Sequence, residues 1–181
     1  MKIANRYFIW CFLSLFIFST YVNAQEKTFN ESVLSEKGKQ AYLNLLKVEL
    51  YAVGGIGYGG ETSNGVIFFD VLLEEKEAIS AFKNLVNKGT IEGATYGLLG
   101  LKMLDCDCFS FEVEKFKTER LSEKNKEVFS FQAGCSWFEG KTANDKKIFF
   151  DLYLSEGLEK EAKLKNQQKI NRALYNKQKA N

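Results

Sequence analysis

The stretch EAISAFKNLVNKGTIEGATYGLLGLKML, residues 77–104, decides the fold class of this chain. Its first half repeats apolar side chains at the spacing of one helix face and ends in Lys88-Gly89, a common C-terminal signal of helices. Thr90 suits the N-cap of a second apolar helix that runs toward Leu104. Because only Gly89 and Thr90 separate the two segments, the pattern predicts an antiparallel helical hairpin.

The segments on either side of this hairpin extend the helical pattern and leave two ambiguities. Ser35 is a candidate N-cap for an earlier helix. Residues 62–75 and 105–116 fit either a helix or a strand, because their apolar positions satisfy both periods. Residues 128–138 and 146–154 have the composition of short extended segments. We therefore predict a mainly α fold of helical hairpins packed in one small domain, with a short β segment in the C-terminal half; an α+β fold is the alternative.

The N-terminus has the pattern of a secretory signal peptide. Lys2 and Arg6 begin a basic start that leads into an apolar run, and small residues before Gln25 fit a cleavage site. The run ends before the roughly 20 apolar residues that a membrane span needs. We expect residues 1–24 to be removed and the protein to be exported, periplasmic or extracellular, without a transmembrane span after cleavage.

Charge and length define the remaining organisation. Residues 25–154 are predicted to form a single globular domain, and residues 155–181 a basic, helical C-terminal tail. The tail holds seven Lys or Arg against three Glu, which suits a weak surface contact. Residues 1–24 contain two of the 25 basic residues and none of the 23 acidic ones, so the remaining chain has no net formal charge. This balance disfavours nucleic acid as a partner.

The composition excludes several mechanisms. The chain contains no histidine, so Ser-His-Asp and Cys-His nucleophiles, His-containing zinc sites and imidazole acid-base catalysis are excluded. Carboxylate chemistry, Ser-Lys chemistry, thiol chemistry or pure binding remain. No sequence motif calls for a cofactor, and we predict none.

The glycines of YAVGGIGYGG, residues 51–60, match the spacing of a dinucleotide-binding turn at Gly55, Gly57 and Gly60. A functional turn would lead directly into a helix whose N–H groups face a phosphate. Residues 61–65 follow instead and are typical of a turn. We interpret the stretch as a loop between two helices, in which glycine allows positive φ and close backbone packing.

Three cysteines remain after removal of the signal peptide. An exported protein normally pairs its cysteines, and Cys106 and Cys108 are too close in sequence for an easy mutual bond. We therefore expect a structural disulfide from Cys135 to Cys106 or Cys108, worth about 3 to 4 kcal/mol on the chain-entropy model. The odd thiol supports an alternative, a thiol-redox or soft-metal-binding protein that uses all three cysteines. Asp105 and Asp107 oppose the redox role, because neighbouring carboxylates raise a thiol pKa.

A few other residues are candidates for contact or catalysis. Trp137 lies beside a polar stretch and suits a contact residue in a binding module. Asp105 or Asp107, paired with Glu112 or Glu114, would satisfy the two-carboxylate requirement of a small hydrolase. This hydrolase ranks below the redox alternative. Our main expectation is an exported, non-catalytic binding or accessory protein of the cell envelope, whose partner is an unidentified protein or envelope ligand.

Residues 89–105 and the later Gly-Cys at 134–135 resemble a loose set of uncharacterised exported bacterial proteins. Those proteins carry a similar Gly-Thr-x-x-Gly-x-x-Tyr-x-Leu-x-Gly-Leu helix followed by Gly-Cys. The set often has Cys where this chain has Leu99, and Pro where it has Ile91 or Cys106. The resemblance implies a mainly helical exported domain and supplies no activity.

Overall fold

The computed structural model describes residues 29–151, 162–163 and 165–167. In this part of the chain, six α-helices and a small four-stranded sheet follow a short 3-10 helix at Glu31–Val33. The helices are α1 Glu36–Leu45, α2 Asn64–Leu73, α3 Ala78–Lys88, α4 Ile91–Met103, α5 Phe109–Arg120 and α6 Ala143–Phe149. The strands are β1 Tyr51–Ile56, β2 Glu61–Thr62, β3 Phe129–Gly134 and β4 Ser136–Gly140. The predicted mainly α fold with a short β segment in the C-terminal half is confirmed.

The predicted helical hairpin is α3 followed by α4. The Thr90 side chain accepts a hydrogen bond from the Gly93 N–H at 3.1 Å and donates one to the Val48 carbonyl at 2.6 Å. The first bond caps α4, and the second ties the turn to the connection between α1 and β1. Nearly every residue of α4 is buried, so this helix is the centre of the molecule.

The sheet has the order β2-β1-β3-β4. β1 pairs parallel with β3, with Tyr51 opposite Phe131, while the β1-β2 and β3-β4 pairs are antiparallel. The Tyr96 hydroxyl on α4 accepts from the Ala52 N–H at 3.1 Å and lies 3.3 Å from the Ala52 carbonyl. These contacts attach β1 to the central helix.

Aromatic side chains fill the core on both sides of this attachment. Phe69 of α2 packs between Phe82 and Tyr96, with ring centroids 5.4 and 5.8 Å away. On the other side, Phe149 of α6 packs against the rings of Phe129, Phe131 and Phe138. The burial of these rings contributes much of the hydrophobic free energy that holds the sheet on the helices.

Both segments that fitted either a helix or a strand are helices. Ser63 caps α2 by accepting from the Val66 N–H at 3.3 Å, and the expected Ser35 cap of α1 accepts from the Gly38 N–H at 3.1 Å. The segment 105–116 enters α5 after a turn at Asp105. The expected extended structure over residues 128–138 is the β3-β4 hairpin.

Two local predictions are wrong. Residues 146–154 were expected to be extended, but in the described part, residues 146–151, α6 continues to Phe149, because Thr142 and Asp145 form a reciprocal capping box that starts a helix. Residues 152–154 lie outside the described residues. The glycine stretch was expected to join two helices, but it belongs to the β1-β2 hairpin. Gly57 and Gly60 do adopt positive φ, at 67° and 64°, which explains the need for glycine in this turn.

The C-terminal segment contacts the helical body. Of residues 155–181, the structure describes only 162–163 and 165–167, which are helical. The rest of the predicted helical tail lies outside the described residues, so the helical tail stays a prediction. Ala162 is buried, and the Lys165 ammonium lies 2.8 Å from a carboxylate oxygen of Asp70 and 4.7 Å from the centre of the Phe69 ring. This part of the tail therefore packs on α2 and contributes to the core. Within the described residues, no helix has the length and apolar character to cross a membrane.

Candidate functional site

A groove of about 710 Å³ is lined by the N-terminal 3-10 helix region, α3 and α5. The side chains come from residues 29–33, from the exposed side of α3 and from the first turns of α5. Its volume lies within the range of roughly 300 to 1,000 Å³ that is typical of pockets for small molecules. This groove is the main candidate site.

The groove has an apolar part made of three side chains. Val33 is 53% exposed and Phe111 is 69% exposed, so both present carbon surface to solvent. Phe29 is held by an edge-to-face contact with the Tyr42 ring at 5.1 Å, and the Tyr42 hydroxyl donates to the Asn84 side-chain oxygen at 2.6 Å. Exposed apolar side chains gathered in a concave surface are typical of binding sites.

The charged side chains of the groove differ in their exposure. Lys83 and Lys88 on α3 are exposed, and Lys115 on α5 is half-buried. Of the two carboxylates, Glu77 is half-buried and Glu112 is only 3% exposed. In the groove, the positive charges of the lysines are therefore mostly exposed to solvent, and the negative charges of the two carboxylates are mostly buried.

Arg120, at the C-terminal end of α5, fixes the position of that helix. Its guanidinium donates to the Asn87 carbonyl at 3.1 Å and to the Gly89 carbonyl at 2.9 Å. It also lies 3.2 Å from a carboxylate oxygen of Glu127. The Asn87 side-chain amide donates to the Lys83 carbonyl at 2.9 Å, further ordering the α3 surface. These contacts bond the C-terminal end of α5 to the C-terminal end of α3, so they fix the relative position of the two helices that line the groove.

Glu92 is one of the residues that line a second, smaller cavity of about 220 Å³. Glu92 is 3% exposed, and its carboxylate accepts a hydrogen bond from the Ser130 N–H at 2.7 Å, which connects the start of α4 to β3. Burial raises the pKa of Glu92 to about 7; the Ser130 N–H opposes this shift, and the negative charges of Glu127 and Glu49 add to it. This buried carboxyl therefore titrates near neutral pH.

Lys146 of α6 is buried in the same region. It is 1% exposed and donates to the Asn125 carbonyl at 3.0 Å. Burial lowers its pKa, while the charges of Glu127 and Glu92 raise it and that of Lys126 lowers it. Lys146 and Glu92 thus form a buried polar region that connects α4, α6 and the sheet. Such regions are common in structural roles as well as in functional ones.

The structure differs from the expected cysteine pairing. Cys106 and Cys108 are joined by a disulfide, and Cys135 is an exposed free thiol in the turn between β3 and β4. The expected bond from Cys135 to either partner is not formed. The turn after α4, in which Asp105 has a φ of 48°, brings the Cα atoms of Cys106 and Cys108 to 5.1 Å, within the usual range for a disulfide.

Non-reducing peptide mapping of the oxidised protein is expected to find Cys106 bridged to Cys108 and Cys135 open to alkylation in the folded state. The loop that the Cys106–Cys108 bond closes is very short and restricts the unfolded chain little. Reduction should therefore lower the free energy of unfolding by about 1 to 2 kcal/mol. A peptide linked through Cys135, or a loss of about 3 to 4 kcal/mol on reduction, would contradict this pairing and restore the longer loop.

The other sequence-predicted residues do not converge on one site. Trp137 on β4 is 56% exposed, as a contact residue should be, but it does not line the groove. Glu112 lines the groove and is buried, whereas Asp105, Asp107 and Glu114 are exposed. Glu114 lies 2.8 Å from the ammonium of a lysine one turn along α5. The described residues contain no group of three or more Cys, Asp or Glu side chains arranged to hold a metal ion.

Most residues of the groove are not predicted from the sequence, although one signal for Phe111 is present there. Phe109, Val113 and Phe116 share one face of a helix at this spacing, which leaves Phe111 on another face. A large aromatic residue outside the core face of a helix is a candidate contact. Glu92 in the second cavity offered a similar signal, since it is the single acidic residue of the mostly apolar helix α4.

Comparison with known proteins adds no assignment: no family model, curated protein or solved structure matches this chain. The resemblance to exported bacterial proteins stays a prediction from the sequence.

Proposed function

We propose that the protein is a non-catalytic binding protein of the cell envelope, which takes up a small amphipathic molecule in the groove between α3 and α5. The observation that carries this proposal is the exposure of Val33 and Phe111 inside one concave surface of small-molecule size. Apolar surface of this kind gains free energy when a ligand covers it. The envelope location rests on the signal-peptide pattern of residues 1–24, which lie outside the described residues.

The arrangement of the groove favours binding over catalysis. The Tyr42 hydroxyl donates to the Asn84 side chain, and the Asn87 amide donates to the Lys83 carbonyl. These polar groups of the groove are therefore used in hydrogen bonds that order the α3 surface. The thiol-redox alternative would use cysteines that lie outside this groove. The hydrolase alternative pairs Asp105 or Asp107 with Glu112 or Glu114, and neither aspartate lines the groove. Both alternatives stay predictions from the sequence.

Titration with Nile red, an uncharged fluorescent dye, tests the proposal. We expect a saturable rise in fluorescence, and we expect Phe111→Ala to weaken dye binding by about tenfold, because the groove loses most of an aromatic side chain. Phe111 is mostly exposed, so the variant should fold normally.

Trp137→Ala is the matched control, since it removes another exposed aromatic side chain outside the groove. It should leave dye binding unchanged within about twofold, a difference of less than 0.5 kcal/mol. If Trp137→Ala abolishes dye binding while Phe111→Ala has no effect, the binding surface is the sheet edge and the proposed groove is wrong.

A further inference from the structure

Two lysines of the groove are available to a ligand. Lys83 and Lys88 are exposed, and neither forms an ion pair with any described residue. Three other lysines form ion pairs: Lys39 with Glu31, Lys117 with Glu114 and Lys141 with Glu139. Exposed lysines without such a pair to a described residue also occur elsewhere, as at Lys37 and Lys76, so what distinguishes Lys83 and Lys88 is their place in the groove. The α3 side of the groove therefore carries two ammonium groups without a partner in the described part of the chain.

The carboxylates of the groove do not offset these two charges at its surface. Glu112 is 3% exposed, and Glu77 is half-buried, with a carboxylate oxygen 3.4 Å from the Ser80 hydroxyl. A cationic ligand would have to reach a carboxylate that the fold has largely removed from solvent. An anionic ligand meets Lys83 and Lys88 directly, and a charge pair at a partly shielded surface is stronger than one in open water.

The apolar part of the groove supplies the second half of the recognition. Val33 and Phe111 expose carbon surface in the same groove that Lys83 and Lys88 line. A molecule that satisfies both parts needs an acidic head and an apolar body.

We propose that the ligand of the groove is a small amphipathic anion, whose acidic head lies against Lys83 and Lys88 and whose apolar body packs on Val33 and Phe111. This inference rests on the proposed function, because it names the ligand class of the same site. A single-chain carboxylate has this chemistry. The two lysines would bind its carboxylate by charge, and burial of its alkyl chain against the apolar side chains would add hydrophobic free energy.

Displacement of Nile red by three probes with the same alkyl chain tests the ligand class: decanoate, 1-decanol and decyltrimethylammonium, each below the concentration at which it forms micelles. Decanoate should displace the dye at a concentration about fivefold lower than decanol, corresponding to a modest contribution from exposed charge pairs. Decyltrimethylammonium should be the weakest. The preference for decanoate should shrink as salt is added, because exposed charges are screened.

The double variant Lys83→Gln/Lys88→Gln should bind decanoate and decanol with equal affinity, because it removes the two charges that distinguish the probes. Lys141→Gln, which removes an exposed lysine that is paired with Glu139 outside the groove, is the control and should keep the preference for decanoate. Equal displacement by all three probes in the unmodified protein would overturn the anionic ligand and leave the binding function intact. Absence of Nile red binding, with no heat from decanoate by titration calorimetry, would overturn both.

Discussion

Replacing Gly97 by alanine should lower the free energy of unfolding by about 2 to 3 kcal/mol, although alanine is the better helix former by about 1 kcal/mol. A Cβ atom at this position of α4 would lie 2.8 Å from the Phe82 carbonyl oxygen and 3.0 Å from the Val86 backbone nitrogen. Both obstacles are backbone atoms of α3, so the two helices would have to move apart. Urea denaturation of both proteins measures the difference.

Gly38→Ala is the matched control for this substitution, because it makes the same change inside α1. There the three atoms nearest to the added Cβ belong to the end of the Glu75 side chain, which can rotate away at the loss of its hydrogen bonds to Ser35. We expect a clearly smaller loss for Gly38→Ala. If Gly97→Ala is neutral or stabilising, the close approach of α3 and α4 is wrong.

The second large effect concerns the pH dependence of stability. The pKa of Glu92 is about 7 in the folded protein and about 4.5 in the unfolded chain, so the folded state holds a proton more tightly. The stability contributed by this proton is fully present below pH 4.5 and is lost as the pH rises through 7. The loss is on the order of 3 kcal/mol well above pH 7, at about 1.4 kcal/mol for each unit of pKa difference.

Glu92→Gln should therefore flatten the fall in stability between pH 5 and pH 9, because the amide does not ionise and its oxygen can still accept from the Ser130 N–H. Urea denaturation at several pH values in this window measures the slope. Glu114→Gln, at an exposed carboxylate of α5, should keep the slope of the unmodified protein. An unchanged slope in Glu92→Gln would show that other groups control the pH dependence.

Local signals in the sequence predicted the helical part of the fold. The Gly89 end of α3, the Thr90 cap of α4 and the Ser35 cap of α1 depend on neighbouring residues, and all three are seen in the structure. The helix α6 could also have been predicted from a local signal, because the capping pair Thr142 and Asp145 is visible in the sequence. Apolar composition alone favoured a strand there and outweighed the cap.

The groove and the buried carboxyl could not be predicted in the same way. Val33, Lys83 and Phe111 belong to three elements that are distant in the chain, and their proximity depends on tertiary packing. The pKa shift of Glu92 likewise depends on its burial and on Glu127 and Ser130, which follow it by more than thirty positions. Neither arrangement has a sequence motif, so the mainly α fold was predictable and the site was not.

Because β1 pairs in parallel with β3, the sheet joins an early and a late part of the described chain. Four helices, α2 to α5, lie in the chain between these two strands. A nick anywhere between residues 57 and 128 would leave β1 and β3 on different fragments, although they hydrogen-bond along their edges. Neither fragment could cover the edge at which β1 and β3 meet, because the strand that pairs with that edge would be on the other fragment. Two such fragments would have to meet in solution to restore the sheet, and complementation would then depend on their concentration.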